Sequence, residues 1–122
     1  REKMPLSPEN EFDPSQLPLI LDQIAAAITV IDLEGRMLYY NEYSAQILDR
    51  KPEYLGKDVR LCHEKQKSND RIDHMLEAFK AGRREAFYYE ADRYGKRIAV
   101  TLTPFEVDGQ LTAFIQTVTI KT

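Results

Sequence analysis

The sequence holds a single cysteine, Cys62, which excludes an internal disulfide framework and suits a reducing compartment such as the cytoplasm. Its apolar runs are short and interrupted, and none approaches the roughly 20 residues that a membrane-spanning helix needs. The net charge is −3 and no stripe of lysine and arginine is present, so we do not expect nucleic-acid binding. No secretory signal is visible.

Patterns typical of an enzyme are also missing. No pair of carboxylates has the spacing or context of an acid–base site, and none of the five glycines belongs to a phosphate-cradling loop. Adjacent Cys62 and His63 do not form a catalytic dyad, because neighbouring side chains tend to diverge. We therefore expect a non-catalytic domain that acts on neither a membrane nor a nucleic acid.

The length and composition favour one domain. A chain of 122 residues with 43% hydrophobic content supports one core and is too short for two. Residues 1–14 hold three of the six prolines and many charges, which predicts a linker or arm and leaves 15–122 as the domain. Since the first residue is Arg, we expect a piece of a longer protein that carries an effector domain.

An amphipathic helix is predicted over about 16–25. Ser15 is the expected cap, and Pro18 falls in the first turn, where a missing N–H costs little. One apolar stripe has the spacing i, i+3, i+4, i+7 and comprises Leu17, Ile20, Leu21 and Ile24. We expect this stripe either to fold back on a sheet or to pair with a second copy of the chain.

A hairpin followed by a capped helix comes next. Residues 28–31 are rich in β-branched side chains and predict a buried strand, and 37–40 form the return strand. Gly35 supplies the turn between them because it tolerates a positive φ. Asn41 is the predicted N-cap of the helix that follows.

The second half predicts one long helix and three strands. The helix starts at Ser68 or Asn69, and its apolar stripe comprises Ile72, Met75, Leu76 and Phe79, with Gly82 as the C-terminal cap. Strands follow at about 85–92, 96–106 and 110–120, joined by turns at 93–95 and 108–109. Because strands and helices do not alternate, we predict an α+β fold, a five-stranded antiparallel sheet with helices gathered on one face.

This order of elements, with Val30-Ile31-Asp32 leading through Gly35 to Tyr40-Asn41, resembles the PAS family over about residues 17–120. The resemblance implies the PAS sheet with strand order 2-1-5-4-3 and a pocket between sheet and helices. It also implies frequent homodimerisation through the N-terminal helix, here through Leu17, Ile20, Leu21 and Ile24.

A narrower resemblance concerns the segment from Gly56 to His63 and the following Lys67-Ser68, which is similar to PAS domains with a His-Pro-x-Lys-Ser run. Carbon-monoxide-responsive haem-PAS transcription regulators belong to that subset, and the matching His there is an axial haem ligand. Carried over, the role of haem-iron ligand falls on His63. Glu64 stands where the run has Pro, and the strand at 86–90 has no Met for a second ligand.

Other candidate ligand contacts are aromatic. Tyr40, Phe87 and Tyr89 lie on predicted strands and either line a pocket for a flat or apolar ligand or pack as ordinary sheet residues. Flavin is not expected at Cys62, since its neighbours do not match the Asn-Cys-Arg-Phe-Leu-Gln-like run of light-sensing flavin PAS proteins.

These features predict a cytoplasmic bacterial sensory domain within a larger regulator. It would detect a small molecule or a redox or gas signal and transmit the change through a homodimer. Two alternatives stay open. One is a haem-dependent gas sensor with His63 as axial ligand, and the other is a PAS module that dimerises without any ligand.

Overall fold

The computed structural model describes residues 12–59 and 66–121, and of residues 66–69 it describes the backbone only. The predicted arm over 1–14 therefore lies almost wholly outside the described residues. Within them the chain forms, in order, α1 (Leu17–Gln23), β1 (Ala27–Asp32), β2 (Met37–Tyr40), α2 (Glu42–Ile47), α3 (Gln66–Lys80), β3 (Phe87–Arg93), β4 (Lys96–Val107) and β5 (Gln110–Ile120). All strand pairs are antiparallel, and the order β2-β1-β5-β4-β3 confirms the predicted sheet.

The N-terminal helix is shorter than predicted and has a different cap. A 3-10 turn over Pro14–Gln16 precedes α1, and the Asp13 carboxylate accepts a hydrogen bond from the N–H of Ser15 at 3.0 Å. Asp13 thus caps the turn, and Ser15 lies inside it, so the predicted Ser15 cap is wrong. Pro18 does lie in the first turn of α1, as predicted, where helices tolerate the missing N–H.

The first hairpin forms where its turn residues predict it. Gly35 has φ of 92°, a left-handed conformation that a side chain would strain. The Asp32 carboxylate accepts hydrogen bonds from the backbone N–H groups of Glu34 and Arg36 at 2.9 and 2.8 Å. Burial acts to raise the pKa of Asp32, but the hydrogen bonds from Arg36 and Glu34 and the Arg36 charge outweigh it and lower that pKa.

The long helix α3 covers the inner face of the sheet with its apolar stripe. It begins at Gln66, two residues before the predicted start at Ser68 or Asn69. Its four stripe residues, Ile72, Met75, Leu76 and Phe79, are all buried, as the 3.6-residue period predicts. Gly82 has φ of 115° and its N–H donates to the Phe79 carbonyl at 3.1 Å, which confirms the left-handed C-terminal cap.

The last three strands form a meander with two tight turns. Tyr94 and Gly95 connect β3 to β4, and Asp108 and Gly109 connect β4 to β5; all four residues have positive φ. Two consecutive left-handed residues match the right-handed twist of the flanking strands, which is why Asp-Gly is a strong hairpin signal. β3 starts at Phe87, two residues after the predicted start.

The sheet's inner face carries two separate apolar clusters. The larger joins β1, β2, β4 and β5 to α3 and contains Ile31, Met37, Val59, Ile72, Met75, Leu76, Phe79, Leu102 and Phe114. The smaller contains Ala27, Ile98, Val100 and Val118, with Tyr43, Ile47 and Leu48 of the α2 region packed against it. Between them the inner face is polar, and that break in the core positions the candidate site.

Candidate functional site

A buried polar pair lies in the middle of the inner sheet face. Thr29 of β1 and Gln116 of β5 are direct cross-strand partners, and both are buried. On the same face the neighbouring pairs are apolar: Ala27 opposite Val118 on one side, and Ile31 opposite Phe114 on the other. The pair is therefore a polar row between two apolar rows, and buried polar groups of this kind need hydrogen-bond partners.

Arg50 supplies that partner from the loop after α2. Its side chain is buried, with 7% of the residue exposed. Its Nε donates to Thr29 Oγ1 at 3.2 Å and its Nη2 to Gln116 Oε1 at 3.0 Å. Because a guanidinium is a flat fork of donors, it can bridge acceptors on two adjacent strands at once. Arg50 thus fastens the α2 loop across β1 and β5.

The loop that carries Arg50 is itself fixed by hydrogen bonds. Arg50 Nη1 donates to the carbonyl of Asp49 at 3.0 Å, which folds the side chain back on its own backbone. The Asp49 carboxylate accepts from the Tyr54 hydroxyl at 3.1 Å, across a 3-10 turn at Pro52–Tyr54. These contacts preorganise the guanidinium, so less side-chain freedom is lost when it engages the sheet.

Helix α2 contacts the same row through its first turn. Ser44 is buried, and its Oγ lies 3.4 Å from Thr29 Oγ1. We call Thr29, Ser44, Arg50 and Gln116 the inner polar cluster. Thr29 comes from β1 and Gln116 from β5, and the other two residues come from α2 and the loop after it. The cluster therefore joins three separate parts of the chain: β1, β5 and the α2 region.

Asn41 is the residue next to this cluster and uses its whole side-chain amide. Its Oδ1 accepts from the N–H groups of Ile28 at 2.9 Å and Ser44 at 3.1 Å. Its Nδ2 donates to the carbonyls of Leu21 at 2.5 Å and Ala26 at 2.9 Å. Four bonds are the full capacity of an amide side chain. The predicted N-cap is confirmed, and the links to α1 and β1 are additional.

A groove of about 350 Å³ lies beside Asn41 and is open on one side. It is lined by the end of α1, edge strand β2 and the turn at 52–54, through Asp22, Leu38, Tyr39, Tyr40, Asn41, Glu42, Pro52 and Leu55. The Asp22 carboxylate accepts from the N–H of Glu42 at 3.0 Å. Burial and the Asp22 charge both raise the pKa of Tyr39.

His63 and Cys62 lie outside the described residues, so haem ligation by His63 stays a prediction. The three aromatic residues lie on the inner face, half-buried and packed against apolar core clusters: Tyr40, Phe87 and Tyr89. The Phe87 ring meets that of Phe79 edge-on at 5.3 Å. Ordinary sheet packing accounts for these contacts. Tyr40 also lines the groove beside Asn41, and a ligand-binding role for the three aromatics stays a prediction.

The predicted dimer residues lie on α1 and its C-cap, which the domain covers only in part. No residue of α1 is buried. Leu17 and Ile20 are 49% and 41% exposed, whereas Leu21 and Ile24 are half-buried. Leu19, on the same helix, is 58% exposed. The exposure leaves an apolar surface available, and its use in a dimer stays a prediction.

The inner polar cluster was not anticipated from the sequence. Gln116 did carry a signal, because it interrupts the run of inward apolar residues from Phe114 to Val118 in β5. Arg50 carried none, since an arginine in a loop usually points to solvent.

Among residues 12–59 and 66–121, no group of three or more His, Cys, Asp or Glu side chains could hold a metal ion. No helix in those ranges is long and apolar enough to cross a membrane.

Solved structures similar to this chain support the fold. A PAS domain of BvgS from Bordetella pertussis has a TM-score of 0.72 and 21% identity over 88% of this chain and 85% of its own. A C-terminal domain from Streptococcus mutans has a TM-score of 0.73 and 24% identity, and the match covers 89% of this chain and 85% of that one. A sensory box sensor histidine kinase from Vibrio cholerae has a TM-score of 0.63 and 16% identity, and the match covers 88% of this chain and 92% of that one.

A family model supports the same assignment, although no curated protein sequence matches the chain. A family model described as PAS domain matches residues 17–116 of the 122. That match runs from the first residue of α1 into β5, through every element that builds the inner polar cluster. The chain therefore belongs to the PAS domain family.

Proposed function

We propose that this chain is the sensory domain of a larger cytoplasmic bacterial regulator. It responds to a small molecule or to a redox or gas signal, and a homodimer carries the response to an effector. PAS domains are generally sensory, non-catalytic modules, and a structurally similar chain is a sensory box sensor histidine kinase. The observation that carries the proposal is the apolar helix α1, which the single domain leaves exposed.

The exposed helix suits a dimer contact because it is apolar without being part of the core. Leu17 and Ile20 sit one turn apart on one side of α1, and each exposes more than two fifths of its surface. Contiguous apolar surface of this kind marks interaction sites more often than isolated exposed residues do. Two copies of α1 would bury each other's leucine and isoleucine side chains in an isologous contact.

Light scattering tests the dimer. The wild-type chain should have twice the monomer mass of 14.2 kDa at micromolar concentration. Ile20→Asp should shift it to monomer, because a carboxylate would be buried against apolar partners. Gln23→Asp adds the same charge to an exposed position of the same helix and should leave the dimer intact. A monomeric wild type, or equal effects of both variants, would contradict the proposed interface.

Haem sensing through His63 is a narrower form of the proposal. The family and structure comparisons lend the haem-PAS subset no support, so the case depends on the sequence resemblance. A hemin titration monitored by absorption decides it. His63→Ala should abolish a Soret band, whereas His74→Ala, on the exposed face of α3, should retain it. The absence of a Soret band in the wild type would exclude haem.

A ligand-free dimerisation module is the other candidate function. The observation that favours it is the packing of Tyr40, Phe87 and Tyr89 against the core, which fills inner-face space with side chains. This function predicts that no small molecule raises the melting temperature while the dimer still forms. Stabilisation by any compound at concentrations above its Kd would instead support ligand sensing.

A further inference from the structure

The inner polar cluster and Asn41 form one continuous run of hydrogen bonds. Gln116 joins Arg50 at 3.0 Å, and Arg50 joins Thr29 at 3.2 Å. The hydroxyls of Thr29 and Ser44 are 3.4 Å apart, and the Ser44 N–H donates to Asn41 at 3.1 Å. The run therefore leads from the sheet centre to the first turn of α2 without a break.

Asn41 extends the run to α1. Its Nδ2 donates to the carbonyl of Leu21, which lies in the last turn of α1, where carbonyls lack partners within the helix. Its Oδ1 accepts from Ser44 at the start of α2, where N–H groups lack partners for the same reason. One side chain thus caps the end of α1 and the beginning of α2 at the same time.

Polar contacts contribute to the hold on α1. No residue of the helix is fully buried, although Leu21 is half-buried, so apolar packing against the domain is limited. Besides the Asn41 bond, the Glu42 N–H donates to the Asp22 carboxylate at 3.0 Å. Both contacts come from the first residues of α2 or its cap, so a shift of α2 moves the groups that hold α1.

We propose that Asn41 and the inner polar cluster couple the centre of the sheet to the attachment of α1. The inference rests on the proposed sensory function, in which α1 carries the output. A change at Gln116 or Arg50 would reach α1 through Thr29, Ser44 and Asn41. Segments that move in allosteric change are weakly held elements whose equilibrium both sites bias, and a helix with no fully buried residue suits that role.

The direction of the hydrogen bonds supports this coupling. A guanidinium only donates, so Thr29 Oγ1 accepts from Arg50, and its own proton is available to Ser44. Hydrogen bonds in such a series polarise one another in a low-dielectric interior. Removal of the Thr29 hydroxyl would interrupt the series in the middle without changing the size of the side chain.

A nitroxide at position 19 reports on α1. Leu19 is exposed, so Leu19→Cys presents the label without disturbing packing, and Cys62→Ser leaves it as the only thiol. Thr29→Val removes the hydroxyl, and Thr29→Ser retains it. Thr117→Val is the matched control: Thr117 alternates with Gln116 on β5 and lies on the outer face.

We expect Thr29→Val to raise the mobile component of the label spectrum about threefold, a change within the range by which substitutions along a coupling network shift an equilibrium. Thr29→Ser and Thr117→Val should match the parent protein. Equal mobility in Thr29→Val and Thr117→Val would overturn the coupling, as would equal loosening by Thr29→Val and Thr29→Ser. If Thr29→Val fails to unfold cooperatively, Gln116→Leu interrupts the run at its inner end and should give the same threefold rise.

The readout requires neither ligand nor dimer when it is recorded on the Ile20→Asp background. A negative result there refutes the coupling and leaves the sensory proposal standing. A failure of the sensory proposal appears separately, as a monomeric wild type in light scattering and no stabilisation by any compound.

Discussion

Replacement of Asn41 by alanine tests the central feature of this structure, one side chain that serves α1, β1 and α2 together. The variant removes all four hydrogen bonds of the amide in a position with no solvent exposure. The methyl group that remains cannot replace any of them. Water enters poorly at a buried site, so the backbone groups of Leu21, Ala26, Ile28 and Ser44 lose their partners.

The size of the effect follows from the kinds of bond that are lost. Loss of an N-cap costs about 1 kcal/mol of stability. Each of the other three bonds contributes about 1 kcal/mol, and more when the partner left behind stays buried. The free energy of unfolding should therefore fall by about 4 kcal/mol in Asn41→Ala, a large share of the ~5–15 kcal/mol of a typical domain.

Urea denaturation followed by far-ultraviolet circular dichroism measures this loss, since the chain has no tryptophan. Asn41→Asp keeps the acceptor oxygen but loses the two donors to Leu21 and Ala26, and should be destabilised as well. Gln46→Ala, an exposed amide on the same helix, is the control and should change stability by less than about 0.5 kcal/mol. A loss below about 1 kcal/mol in Asn41→Ala would refute the four-bond account.

Three further predictions concern the core, a turn and a charge. Phe79→Ala should cost about 3–5 kcal/mol in urea denaturation because Phe79 is fully buried, whereas the exposed Phe105→Ala should cost far less. Gly109→Ala should lower stability by about 1–2 kcal/mol, since φ is 79° and no atom lies within 4 Å of an added Cβ, which leaves backbone strain as the cause. The lowered pKa of Asp32 stabilises the fold above its ordinary value of 3.8, and this contribution is lost as pH falls through the lower folded-state pKa. Acid titration of Asp32→Ala should therefore show a shallower loss of stability than the parent protein between pH 3.8 and the lower folded-state pKa.

Sequence periodicity predicted most of the fold because most elements follow a simple pattern. The alternation in β4 and the apolar stripe of α3 each fix one buried face, and both were found. The turns at Gly35 and Gly109 were predicted from backbone chemistry alone. Errors concern the ends of elements, as at Ser15 and the start of α3, where hydrogen bonds rather than periodicity set the boundary.

The candidate site was harder to predict for a physical reason. Thr29, Arg50 and Gln116 are separated by 21 and 66 residues along the chain, and only the sheet register brings them together. Asn41 was predicted as a local cap from its neighbours, but its bonds to Leu21 and Ala26 depend on where α1 packs. Local patterns specify local bonds, and tertiary contacts of this kind require the assembled sheet.

The inner polar cluster is not what stability alone would select. A buried guanidinium is desolvated at high cost, and well-packed apolar residues at such positions often give an equally or more stable protein. The cluster here also divides the core into two apolar parts and lies between them. What it provides is a fixed geometry, in which β1, β5 and α2 hold one relation through directional bonds. Because the same run of bonds ends on α1, a series of directional interior contacts leads to a helix that has no fully buried residue. That arrangement suits the sensory function that we propose, in which a change in the interior reaches the surface.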